Sequence, residues 1–180
     1  MYKLNVNEKI IEHCTEQLTT HNFGHRYTAN GNYEQQLTGI IGQSVVMEIF
    51  GLGFIDGSSG FDHGVDIYFE GLKIDVKTMG RTTDVKPNYT NNFLRLQDHF
   101  DIDIYIFCSF HKFERTLTIC GWIDKEKFIR YRRFYPIGSI RTRYDGTTFK
   151  TFADLYEIDN SFLNDIDNSI DLINQLKQHK

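Results

Sequence analysis

Apolar positions fall into two rhythms along this chain. In NEKIIEHCTEQLTTH (7–21), Ile10, Ile11, Cys14 and Leu18 recur at helical spacing and predict a helix. NFGHRYTANGN (22–32) carries turn residues and predicts a loop. YEQQLTGIIGQSVVMEIFG (33–51) predicts a second helix, with Leu37, Ile40, Ile41, Ser44, Val45 and Glu48 on one broad face and Gly51 as its stop. That helix is apolar nearly all round, so burial on several sides is expected.

From 60 to 80 the rhythm changes. GFDHGVDIYFEGLKIDVKTMG predicts two short strands joined at Glu70–Gly71. RTTDVKPNYTNNFLRLQDHF (81–100) predicts a connection with a short helix near its end. DIDIYIFCSF and RTLTICGWI, separated by HKFE, predict antiparallel neighbours. DKEKFIRYRRF (124–134) predicts a short basic helix capped by Asp124. PIGSIRTRYDGTTF predicts irregular chain with a turn at Asp145–Gly146. SFLNDIDNSIDLINQLKQ (161–178) predicts a terminal helix capped by Ser161, with Phe162, Ile166, Ile170, Ile173 and Leu176 on one face. The order predicts one α/β or α+β domain, a central mixed sheet flanked by helices.

Composition narrows the class. The 180 residues are 40% apolar, with 15 Phe, 10 Tyr and only two prolines, which favours a packed core over disorder. No apolar run is long enough to cross a membrane, and the polar start MYKLNVNEKIIEHC argues against a secretory signal. Cys14, Cys108 and Cys120 are odd in number and widely spaced, as in a cytoplasmic protein with reduced thiols. Cys108, His111 and Cys120 lack the paired spacing of a zinc site.

The net charge of −4 conceals a segregation: eight basic and two acidic residues from Lys125 to Lys150, then six acids and no base from Asp154 to Asp171. Either the first segment faces a polyanion or the two are solvated faces of opposite sign. Arg81 and Lys86, in the connection after the hairpin, and Arg130, Arg132, Arg133, Arg141 and Arg143 are the candidate phosphate contacts. Tyr131, Phe134, Tyr135 and Tyr144 interleave with that cluster, either to stack on bases or to dock in the core.

The hairpin holds the sharpest chemistry. With the turn at Glu70–Gly71, Phe69 faces Leu72, and the same register sets Asp66 against Asp75. Lys77 shares the face of Asp75, Ile74 and Val76 point the other way, and Gly64 falls opposite Lys77. Like charges across a ladder destabilise it unless a cation lies between them. Two carboxylates suit Mg²⁺, and an adjacent ammonium suits charge on a phosphate or an attacking water. The plain alternative is a surface Asp75–Lys77 pair of little energy.

GVDIYFEGLKIDVKT resembles the signature of the PD-(D/E)XK nuclease superfamily, in which an Asp precedes a (D/E)-x-K triplet by about ten residues on adjacent strands. Asp66, Asp75 and Lys77 match that pattern, with Val65 where the family often has Pro. The resemblance spans roughly Gly39 to Phe110. It implies a restriction-endonuclease-like core and a Mg²⁺-dependent endonuclease acting on DNA, with Mn²⁺ as substitute and a homodimer for double-strand cutting. It implies Asp66, Asp75, Val76 and Glu48 at the metal, and Asp66, Asp75, Lys77 and Gln43 in catalysis. Members often read G-x-x-G-E on the preceding helix; GIIGQ puts the amide of Gln43 in place of that acid. Glu48, in the apolar stripe of that helix, either supplies the missing acid or pairs with an arginine, and Glu34 is a weaker candidate on the same face. The alternative is an inactive module of the same fold that binds nucleic acid or a protein partner.

Overall fold

A computed structural model describes residues 1–21, 23, 31–59, 64–142 and 146–179. The predicted loop 22–32, apart from Phe23, Gly31 and Asn32, lies outside them, as do Arg143, Tyr144 and Asp145.

The two N-terminal helices form where the periodicity places them. Helix α1 (Glu8–Thr20) is capped by Asn7, and α2 (Tyr33–Ile49) starts on a reciprocal capping box between Asn32 and Gln35. The five-stranded sheet comprises β1 (Tyr2–Asn5), β2 (Ile67–Phe69), β3 (Leu72–Arg81), β5 (Ile104–His111) and β6 (Thr116–Asp124). Its spatial order is β1-β6-β5-β3-β2. Only β3 and β5 run parallel, so the sheet is mixed.

A smaller sheet orders β4 (Thr90–Leu94), β10 (Leu155–Asp159) and β7 (Arg133–Tyr135). Strands β8 (Ile140–Thr142) and β9 (Thr148–Lys150) pair beside it, and helices α3 (Lys125–Tyr131) and α4 (Ser169–Gln178) complete the chain. The expectation of a mixed sheet flanked by helices within the α/β class is met.

Two cores lie on opposite faces of β3 and β5. Ile74, Val76, Ile104, Ile106 and Cys108 pack with Ile40, Ile41, Val45 and Val46 of α2. Tyr105 and Phe107 face the other way, packing with Phe93, Cys120, Phe128 and Ile158. Cys108 and Cys120 therefore belong to different cores, and all three cysteines are buried as free thiols. No described helix is long and apolar enough to cross a membrane.

The fit of α2 on the sheet depends on Gly42. A Cβ there would lie 1.9 Å from Thr78 Oγ1 and 2.8 Å from Thr78 Cβ, and a β-branched strand residue has no room to swing away. Gly42→Ala is therefore expected to lower stability by about 1–3 kcal/mol, measurable by urea denaturation. An unchanged midpoint would show that the helix sits more loosely.

Several boundaries differ from those predicted. The basic helix stops at Tyr131, and Arg133–Tyr135 joins β10 as a strand. The connection after the hairpin contains β4, and the segment expected to be irregular forms the β8–β9 pair. The C-terminal helix begins after Asn168, not Ser161, and buries Leu172 and Leu176 while leaving Ile170 and Phe162 exposed.

Candidate functional site

The hairpin turn is the predicted one. Glu70 and Gly71 both have positive φ, 50° and 85°, the conformation that matches strand twist in a two-residue loop. The pairs Phe69–Leu72, Tyr68–Lys73 and Ile67–Ile74 follow the expected register.

The ladder leaves that register at Asp66. Its N–H donates to the Ile74 carbonyl at 3.0 Å, and its Oδ2 accepts from the Val76 N–H at 2.6 Å. The Asp66 carboxylate thus takes up a backbone donor of β3, one residue past Asp75. Gly64, expected opposite Lys77, lies beyond the paired ladder, has φ +83° and packs on Phe100, whose ring lies 2.5 Å from where a Cβ would stand.

Asp75 and Lys77 form no surface pair. The Asp75 side chain is 2% exposed and that of Lys77 18%. Lys77 Nζ donates to Asp75 Oδ1 and lies 5.6 Å from the centre of the Phe93 ring, which offers the cation a π face. Asp75 Oδ2 is buried and accepts no hydrogen bond from the described residues. A bare carboxylate oxygen away from water is costly, and a hard cation with oxygen preference is the kind of group it suits.

Tyr105 stands beside Asp75 in the parallel ladder. Its hydroxyl is also buried, without a partner among the described residues. Burial pushes that phenol well up, and the carboxylates of Asp75 and Asp98 push it further, with Arg132 opposing them. Phe93 and Tyr105 wall the pair, and neither stands out in the sequence. The period-2 run IYIFCSF signals a buried strand, but a wall residue looks the same as a core residue.

The structure does not bring α2 to these acids. Alternation on β3 sends Asp75 and Lys77 toward Phe93, whereas α2 covers the opposite face at Thr78. Gln43 is half-buried on α2. Glu48, expected on the apolar face, is exposed, because the buried stripe runs through Ile41, Val45 and Val46. Glu34 is exposed and ion-paired to Lys112 at 2.8 Å. Among the described residues no three His, Cys, Asp or Glu side chains form a metal-holding group.

The basic cluster is largely neutralised from within. Arg132 is bidentate to Asp98 and its guanidinium lies 3.7 Å from the Tyr156 ring centre. Arg133 is bidentate to Asp159 at 2.8 and 2.7 Å. Arg141 is bidentate to Glu157 at 3.0 and 2.6 Å and lies over Tyr135 at 3.8 Å. The basic and acidic segments therefore close on each other as well as on Asp98. Tyr131 stacks on Phe162, and Phe134 packs on Tyr156. Arg130 and Lys86 are exposed. Arg81 is the last residue of β3, not part of a loop. Arg143 lies outside the described residues, as does His63 beside the hairpin.

Comparison with protein-family models, with curated proteins and with solved structures finds no match to this chain.

Proposed function

We propose that this chain is a Mg²⁺-dependent nuclease with a restriction-endonuclease-like core, hydrolysing phosphodiester bonds in DNA. The observation that carries the reading is the buried Asp75 carboxylate: one oxygen is held by Lys77, the other has no hydrogen-bond partner among the described residues, and Asp66, just before β2, is held to the Val76 N–H next to it. The resemblance of GVDIYFEGLKIDVKT to the PD-(D/E)XK signature supplies the reaction class.

Asp66, Asp75 and the Val76 carbonyl offer oxygen donors, the set Mg²⁺ takes when waters and substrate phosphate complete its shell. Bound there, the ion would polarise the phosphodiester and make a bound water more acidic. Lys77 keeps its ammonium against Asp75, poised to donate to a phosphate oxygen or to orient water. Phe93 and Tyr105 exclude bulk solvent from that pair.

The test is cleavage of plasmid DNA with Mg²⁺ or Mn²⁺. Asp66→Asn is the informative variant, since its amide oxygen still accepts from Val76 N–H while the charge is gone. It should fold normally and lose at least about 100-fold in activity. A wild type that cuts no duplex or single-stranded DNA with either metal would refute the reading.

A second reading is favoured by α2. Its Gln43 carries no charge, and the helix lies across the face opposite Asp75. In that reading the chain is an inactive nuclease-fold module that binds DNA or a protein partner. Salt-sensitive DNA binding without metal-stimulated cleavage would select it.

A further inference from the structure

We propose that Arg81 receives a phosphate of the substrate strand, several nucleotides away from the bond held at Asp75 and Lys77. The inference rests on the nuclease reading and adds a minimum substrate: an oligonucleotide strand, not a dinucleotide or a small phosphodiester.

The observation is a guanidinium out of balance with its surroundings. Arg132 and Arg141 are also partly buried, and each is closed by a bidentate carboxylate. Arg81 has no carboxylate within ion-pair distance among the described residues. Its Nη2 donates to the Thr90 carbonyl at 2.7 Å and lies 3.7 Å from Met79 Sδ, and its Nε is buried with no acceptor. The Tyr89 ring, 5.0 Å away, and the Cys120 thiol also face the cation. Burial pushes the guanidinium below its usual pKa, which records the cost of the charge.

A structural link to Thr90 does not require that charge. An uncharged amide could make the same bond, without the cost of burying an unpaired charge. A guanidinium lacking a counter-charge is, in contrast, what phosphate recognition uses.

Position gives the class of ligand. Asp75, Lys77, Met79 and Arg81 alternate onto one face of β3. Lys77 and Arg81 are about 13 Å apart at about 3.3 Å per residue. A strand stacked at about 3.4 Å per nucleotide crosses that gap in about four nucleotides.

Binding of a labelled single strand of about 12 nucleotides, followed by fluorescence anisotropy over about 50 to 200 mM KCl without divalent metal, tests this directly. Arg81→Gln should keep its melting temperature within a few degrees, bind about tenfold more weakly, and lose about 0.7 from the salt slope. Arg81→Lys should restore the slope. Competition by a dinucleotide should be equal in wild type and Arg81→Gln. An unchanged slope in Arg81→Gln, or an equal loss of affinity for the dinucleotide, overturns the proposal. If Arg81→Gln fails to fold, a slope in Arg81→Lys lower than wild type by about one phosphate contact overturns it as well. The outcomes separate from those of the nuclease reading. Metal-dependent cleavage with an unchanged Arg81→Gln slope sinks this inference alone. An Arg81-dependent slope without cleavage sinks the nuclease reading alone.

Discussion

Lys77→Ala lowers the stability of the folded protein by about 3–5 kcal/mol, because it strands a buried carboxylate. Asp75 is 2% exposed at its side chain, and among the described residues Lys77 is the one side chain that donates to it. Without the ammonium, both carboxylate oxygens lie bare between Phe93 and Tyr105. The double variant Asp75→Ala/Lys77→Ala removes the charge that was stranded, so it should recover more than half of the loss despite the cavity. Urea denaturation of the two single variants and the double closes the cycle. Additive losses would mean that the two side chains stabilise the fold independently. The result also bears on cleavage assays, since a Lys77 variant that melts at the assay temperature reports on folding and not on chemistry.

Arg141→Ala is the second large effect. Glu157 is 3% exposed at its side chain and takes both its bonds from Arg141. Truncation removes the two charge-assisted hydrogen bonds and the contact over Tyr135, and leaves a buried carboxylate on β10. The expected loss is about 3–5 kcal/mol. Arg141→Lys should recover part of it, since an ammonium restores the charge and not the fork. The same variants should leave nucleic-acid affinity within about twofold, because a guanidinium held by Glu157 has little to give a phosphate. A large, salt-dependent loss of DNA affinity in Arg141→Ala, with little change in thermal melting, would reverse this assignment.

These two pairs show where sequence reasoning carried and where it stopped. The turn at Glu70–Gly71 and the three pairs next to it were readable because a two-residue turn fixes register, and the alternation of Ile74 and Val76 fixes the faces, but the departure of Asp66 from its place opposite Asp75 was not. The partners of each charge were not readable. Asp98, Glu157 and Asp159 come to the arginines through β10 and the chain after β4, which no local pattern links to residues 130–141. Glu48 misled for a related reason: on a helix apolar nearly all round, periodicity does not single out the buried side. Strand β4 was hidden because TNNFL has two asparagines, and buried Asn91 is tolerated there through its bond to Asn160. Strand β1 did leave a signal in the alternation of Tyr2, Leu4 and Val6, too short to outweigh the helix that follows.

Strand β3 serves both cores: Ile74, Val76 and Thr78 lie under α2, while Asp75 and Lys77 face the smaller sheet. The two layers therefore share a single wall. Opening either layer exposes the backbone hydrogen bonds of β3 and β5 on which the other is built. The molecule should consequently melt as one cooperative unit, with no partly folded form that keeps the helical layer and sheds the other.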